Sequence, residues 1–589
     1  MHKNIEIIKD NTSEQMKIIS KISFIIGLFL FSFIIINLCV TSGLYVLKIT
    51  MTKFNILVSY ALTIILGLLV FRKDKLKTSH FLYSVLISTF LIIVSIIIST
   101  FMYDFSYDGN FYHKVSVGSL KNGWNPLYES IGIFNKSEKN SMKLPETFSI
   151  WNDHYAKGYQ FFAASIYSLT HNIESGKCLQ LIFMATVFFI IFSYLYECVV
   201  KKFLLSMFVS ILFVLNPITI VQLFTYYNDG LLGLGLIILI FSLIMINDNK
   251  YLSSDKFKWY LYILSLIFLI NIKFTGFIYA GFYSVCFFIW SIVKSFKIKE
   301  YVNEIKKFII SGIIGLIIGV LFVGSSTYIK NLYEHKNPFY PLIGKEKVDI
   351  ISYNQPNYFT EKSTIEKFVI SMFSEVDDPF GEKTAHYKMP FTIKKAEFGK
   401  LGYAGTRISG FGILYSGIYI LTITIFVYSF IKYGLLKHIS IYIPIFATTA
   451  LIFILSESWW ARYIPQLYMI TIFAFILLLL DIGYKKSIYK ILNVSLFAIL
   501  ISINVWFFIN SAVLYGFSRS RVIHKDFDLL KREIKKDNNI KFNISRNEFP
   551  GAWYNYYDYT NNLYLVDKIE DENSLIMKSY FIEISKRED

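Results

Sequence analysis

Apolar runs of about 18 residues or more recur from one end of this 589-residue chain to the other, and that pattern leaves few folds open. A backbone crossing hydrocarbon must satisfy its own hydrogen bonds, so runs of this length imply transmembrane helices. Hydropathy places about thirteen, at residues 22–47, 54–71, 81–101, 179–200, 203–223, 230–246, 259–272, 274–293, 308–329, 411–431, 439–455, 467–482 and 488–514. The run at 259–272 is the shortest. Composition agrees: 54% of residues are hydrophobic, 18% are aromatic and mean hydropathy is +0.48, too apolar for a soluble domain of this size. The first run follows a charged segment of mixed sign and has no small-residue cleavage site after it, so it reads as an uncleaved span. The expected fold is an all-α polytopic membrane protein.

The net charge of +17 does not point to nucleic acid. Its cations cluster in short loops between apolar runs, and no basic stripe is interleaved with aromatic rings. The basic segments Arg72–Lys77, Lys201-Lys202, 294–307, Lys432 with Lys437, and Lys485-Lys486 all fall on one side, which the positive-inside rule makes cytoplasmic. The N-terminus is then inside. The long loops 102–178 and 330–410 face outward, as does the segment 515–589. The apolar stretch 159–169 has the length of an interfacial segment and is expected to lie on the outer membrane surface. After residue 514 the chain turns polar. Leu563-Tyr564-Leu565-Val566 and Tyr580-Phe581-Ile582-Glu583-Ile584 alternate like strands, so a small C-terminal α/β appendage (515–589) is expected beside a membrane domain (1–514). Cys39, Cys178, Cys198 and Cys286 lie in or beside apolar runs without metal-ligand spacing and read as buried thiols. There is no Walker loop, no GxGxxG after a strand and no obvious internal repeat, so ATP-driven and inverted-repeat transport have no sequence support.

The first outer loop carries the densest chemistry. Asp108 sits in Tyr107-Asp108-Gly109-Asn110-Phe111-Tyr112-His113, just after the run 81–101, with Asp104 upstream and Trp151-Asn152-Asp153-His154-Tyr155-Ala156-Lys157 further on. Aromatic faces with carboxylate, amide and imidazole groups suit a sugar, whose C–H face stacks while its hydroxyls bond. An aromatic belt with solvated charges would use the same residue types. In a late, short outer loop, Trp459-Trp460-Ala461-Arg462-Tyr463 presents a planar cation between rings, equipment for gripping a phosphate. A snorkelling arginine, neutralised by Glu457, is the plainer alternative. Arg407 closes the second outer loop as another phosphate candidate, and Asn337-Pro338-Phe339-Tyr340-Pro341 opens that loop as a rigid turn. Asp229 and Lys273, at outer turns, read as a functional or a structural pair.

At these residues the chain resembles the GT-C superfamily of polytopic glycosyltransferases, and its Asn125-Pro126, Asn337–Pro341 and Trp459–Tyr463 segments look like those of uncharacterised bacterial membrane proteins grouped there. The resemblance covers roughly 81–514. It implies transfer of a sugar from a polyprenyl-phosphate donor to a glycan, lipid or protein acceptor on the outer face of the cytoplasmic membrane. Asp108 would be the catalytic acidic residue and Arg462 a lipid-phosphate ligand. Asp104, His113, Asp153, His154, Lys157 and Arg407 are the further substrate-binding candidates. Two spans precede the acidic loop beyond the family pattern, and the adjacent acidic pair is missing, since Gly109 follows Asp108. No cofactor is specified beyond a divalent cation compatible with the acidic motif. A transporter or flippase of lipid-linked glycans is the rival class, and a polymerase or ligase of such glycans is a second rival. A flippase would carry ionisable groups along the middle of its helices, whereas here most lie at helix ends.

Overall fold

The structure is a computed structural model. It describes residues 2–73, 78–136, 149–248, 251, 255–296, 301–349, 354–379, 384–484, 487–536, 541–545, 549–559, 563–566, 575–579 and 581–586. Of the basic segments, residues 74–77, 297–300 and Lys485-Lys486 lie outside the described residues, as does Tyr580.

Among the described residues, nine helices are long and apolar enough to cross a membrane: Glu14–Val46, Thr78–Phe101, Ile173–Val199, Asp229–Asn247, Phe274–Ser295, Val302–Val323, Tyr415–Tyr433, Leu436–Ile454 and Ile488–Lys536. Phe54–Val70, Phe203–Val214 and Leu467–Gly483 are shorter apolar helices. This is an all-α membrane protein: the nine long helices cover nine of the thirteen expected runs, and 54–71, 203–223, 259–272 and 467–482 fall in shorter or more polar helices. The difference has local causes. The run 203–223 breaks at Asn216-Pro217. Asn216 accepts the Ile218 N–H at 2.9 Å and caps a new helix, Pro217–Gln222, with proline at its first position. The run 259–272 lies in the helix Asp255–Ile272, whose first turn carries Asp255, Lys256 and Lys258.

Helix faces are sorted for lipid. In Thr78–Phe101, Ser84, Ser88, Ser95 and Ser99 are buried, while Leu82, Leu86, Phe90, Ile93 and Ile97 are exposed. Small residues therefore face the protein and large apolar ones face outward, the pattern of membrane helix packing. Two of the serine hydroxyls are returned to the helix itself, Ser84 to His80 O at 2.8 Å and Ser95 to Leu91 O at 2.7 Å. The helix Asp229–Asn247 is buried along its whole length and forms the centre.

Two further segments depart from expectation. The stretch 159–169 belongs to the helix Gly158–Thr170, buried from Gly158 to Ser168. It is enclosed by protein rather than lying on the membrane, because Gly158, Ala163 and Ala164 allow backbones to approach. A Cβ at Gly158 would sit 2.7 Å from Asn271 O. The last apolar helix does not stop at 514 either. It runs through a π turn, Ile509–Leu514, into the amphipathic helix Tyr515–Lys536, which buries Ser520, Ile523, Phe527 and Leu530. Beyond it, strands β1 (Phe542–Ser545), β2 (Leu563–Val566), β3 (Leu575–Ser579) and β4 (Ile582–Lys586) form one sheet in the order β2-β1-β4-β3. Only β1 and β2 pair in parallel. The helix Pro550–Tyr557 is built into the loop 102–178: Gly118 faces the Tyr554 ring so closely that a Cβ would lie 2.0 Å from it.

Candidate active site

The turn carrying Asp108 is held from below by Asp104. Asp104 is fully buried, and its carboxylate accepts Ser106 N–H at 2.7 Å, Ser106 Oγ at 2.6 Å and Tyr226 N–H at 2.8 Å. Asn110 Nδ2 donates to Asp104 O at 2.7 Å and Ser106 O at 2.9 Å. A Cβ at Gly109 would fall 2.1 Å from Asp104 Oδ2, so the residue after Asp108 has to be glycine for the turn to close over that carboxylate. Burial pushes the Asp104 carboxyl above its usual range. A π turn, Gly109–His113, follows.

Asp108 faces the other way, and its side chain keeps 22% exposure. Arg462 Nη2 donates to Asp108 Oδ2 at 3.1 Å, and Arg462 Nε donates to Asp229 Oδ2 at 2.9 Å. Lys273 donates to the other oxygen of Asp229, and Gln222 Nε2 to Oδ2 at 3.0 Å. The guanidinium carbon lies 4.5 Å from the Tyr227 ring centre and 5.2 Å from that of Trp460. Two acids and two bases thus make a formally neutral quartet drawn from four distant parts of the chain. A guanidinium offers five N–H donors; the two bonds above use two, and among the described residues none accepts from the other three. Glu457 takes no part, and accepts from Ser456 instead.

Asp108 and Arg462 line one cavity of about 1350 Å³, larger than the usual small-molecule pocket of roughly 300–1,000 Å³. Its polar wall adds Arg407, Asn354, Asp378 and Arg519. Tyr107, Phe111, Trp151, Tyr227, Tyr403 and Trp460 supply rings. Ile220, Val221 and Leu514 bring an apolar side from the ends of the membrane helices, and Leu514 and Tyr515 are themselves exposed.

Three of the residues singled out in the sequence therefore meet: Asp108, Arg407 and Arg462. Arg407 is largely engaged, by Asp378 at 2.7 Å and by Asn354 O and Oδ1 at 2.9 and 3.0 Å. The other five do not line the cavity. Asp104 is the support just described. His113 is buried, bonded to Gln160 at 2.8 Å and lowered by burial to about 4. Asp153 accepts Ile131 N–H at 2.7 Å, and burial pushes it up. Lys157 donates to Asp153 O and Tyr155 O, and burial lowers it to about 7. His154 packs against the loop 330–410, bonded to Asn331 at 2.8 Å. The loop folds into short helices, whose periodicity turns these groups inward.

Arg519 is the residue that sequence reasoning missed. It is exposed in the cavity wall, packs its guanidinium 3.9 Å from the Phe105 ring centre, and has no carboxylate partner among the described residues. An arginine one turn beyond the end of an apolar run was the available signal. A divalent cation does not fit at Asp108. Asp108 is already paired with Arg462, Asp378 across the cavity is held by Arg407, Asp229 is taken by Arg462 and Lys273, and the Asp104 oxygens are taken by three donors. Compared with known proteins, the chain matches no family model and no curated relative.

Proposed function

We propose that the chain is a membrane glycosyltransferase of the GT-C type, moving a sugar from a polyprenyl-phosphate donor to an acceptor hydroxyl at the outer face of the cytoplasmic membrane. The observation that carries this is the 3.1 Å Asp108–Arg462 pair in a cavity bounded on one side by helix ends and on the other by rings and arginines. A lipid-linked sugar needs such a boundary: its isoprenoid stays in hydrocarbon while its phosphate and sugar reach polar ligands.

The chemistry asks for two functions. The acceptor hydroxyl must lose its proton as its oxygen bonds to the anomeric carbon, and the Asp108 carboxylate takes that proton. The bond from the anomeric carbon to the phosphate oxygen breaks, and the electron pair leaves with polyprenyl phosphate. A fixed cation stabilises that leaving charge: the three spare N–H donors of Arg462 face it, while Arg519, whose charge no described carboxylate balances, holds the phosphate of the bound donor. One in-line displacement inverts the anomeric carbon. The pairing of Asp108 with Arg462 keeps the carboxylate oriented until the donor's phosphate takes over the arginine.

The same reading gives thirteen spans, counting the shorter apolar helices and the buried Asp255–Ile272, with the N-terminus cytoplasmic and residues 515–589 outside. Cysteine labelling of the tail in intact cells checks this; a tail reached only after permeabilisation reverses the parity. The activity is tested with the purified chain in liposomes, supplied with polyprenyl-phosphate sugars labelled in the sugar. Label should pass to an acceptor as polyprenyl phosphate accumulates. Label that crosses the bilayer still attached to its lipid would make the protein a flippase.

A further inference from the structure

His154, Glu334 and His335 come together away from the cavity, where the two outer loops touch. His154 ends the helix Ser149–His154 of the first loop, and Glu334 and His335 end the helix Lys330–His335 that opens the second. One ligand atom from each of the three lies within 4.8 Å of the others. We propose that these three side chains form a binding site for a divalent transition metal of the zinc class, joining the two loops.

The tautomer of His154 carries the argument. Asn331 Nδ2 donates to His154 O at 3.1 Å and to Tyr340 O at 2.9 Å. Two carbonyls on that side fix the amide nitrogen there, so Asn331 Oδ1 is the atom facing His154 Nδ1 at 2.8 Å. An oxygen accepts, so Nδ1 carries the proton and Nε2 keeps its lone pair. An imidazole oriented through one nitrogen, with the other left as a base, is the arrangement that metal-binding histidines share. Beside His335, the exposed Glu346 carboxylate lies 3.4 Å from Nδ1, and Nε2 is assigned as the second ligand. Both rings are braced by Tyr340, which stacks on His335 with centroids 3.6 Å apart and meets His154 edge-on at 4.8 Å. The two histidine rings meet at 85°, 4.9 Å apart.

Two imidazoles and one carboxylate are a zinc ligand set that leaves a fourth position for water. Bonds of about 2.0–2.1 Å bring ligand atoms to about 3.3 Å from one another in a tetrahedron. The site therefore closes by up to roughly 1.5 Å on binding, a movement the exposed Glu334 side chain can make. Lys330, at the other end of the same helix, donates to Pro126 O at 3.0 Å and Glu129 O at 3.2 Å, so its ammonium is held by those carbonyls.

The proposal is independent of glycosyl transfer, and its test reads metal alone. The purified full-length chain in detergent is stripped with a chelator and titrated with Zn²⁺ against a chromophoric competitor, with bound metal counted by mass spectrometry. One zinc per chain is expected. His335→Ala and Glu334→Gln, at the exposed end of the site, should each weaken binding about tenfold to a hundredfold or more, with metal-free melting temperatures unchanged. Cobalt in place of zinc should give d–d bands of a low-coordinate nitrogen and oxygen site in the unmodified protein. Substoichiometric zinc in the unmodified chain, or binding unchanged in both variants, overturns the site.

Discussion

The turn 104–108 separates two charge quartets, each with two acids and two bases. Beneath it, Asp104 and Glu174 lie near Lys114 and Lys177; above it, Asp108 and Asp229 meet Arg462 and Lys273. The lower one is closed. Its lysines and Glu174 are 0–1% exposed. Lys114 gives its three N–H donors to Glu174, to Asn110 Oδ1 at 3.0 Å and to Asn555 Oδ1 at 3.0 Å. Asn555, from the helix Pro550–Tyr557, also donates to Glu174 at 2.7 Å, so the lower quartet pins the C-terminal segment to the loop 102–178. The upper quartet is open: Arg462 has three donors to spare, and Asp108 faces a cavity. A full set of partners makes a buried charge structural. Spare donors beside a cavity make one available to a ligand.

The largest expected effect breaks the closed side. Glu174→Ala leaves two buried lysines without their carboxylate, which costs about 3–5 kcal/mol, much of a typical folding free energy of roughly 5–15 kcal/mol. Thermal melting in detergent should show loss of the cooperative transition or a large drop in its midpoint. An unchanged melt would remove the contrast between the quartets. On the open side, Arg462→Ala should leave folding nearly intact, because Asp229 keeps Lys273 and Gln222. Sugar transfer should fall by about 100-fold to 1,000-fold, as for loss of one preorganised transition-state donor. Excess donor should not restore it, and Arg462→Lys should fall in between, keeping charge without the planar fork. Unchanged kinetics would reduce Arg462 to an interfacial anchor. Arg519→Ala should act more mildly, raising KM for the lipid donor about tenfold, the size of one charge-assisted hydrogen bond, and weakening the salt dependence of donor use. A fall in kcat at constant KM would move Arg519 from binding to the chemical step.

Much of this comparison could be read from the chain. The apolar runs gave the all-helical membrane architecture because the period and length of a span are local properties. Asp108, Arg407 and Arg462 stood out because they lie at the mouths of such runs. What stayed hidden was which way each side chain turns. Asp104 and Asp108 lie four residues apart in one polar stretch, and only the close approach of Gly109 to Asp104 shows that one is a support and the other faces the cavity. His113, Asp153 and Lys157 look equally reactive in sequence and are buried by short helices whose packing partners are remote. The neutralisation of Arg462 by Asp229, 233 positions away, has no sequence signature, and neither does the arrival of Arg519 from beyond the last span. The break at Asn216-Pro217 was legible as a cap followed by proline, yet hydropathy averaged across it.

The most direct test of the open quartet is Asp108→Asn in the purified, reconstituted chain, with transfer from a polyprenyl-phosphate sugar and thermal melting measured on the same preparation. The substitution keeps size and hydrogen bonding while removing basicity. Transfer should drop by about 100-fold to 10,000-fold, the worth of a positioned general base, with a melting temperature close to that of the unmodified protein. Near-normal transfer by the folded asparagine variant would contradict the assignment of Asp108 as the base and, with it, the functional reading of the cavity.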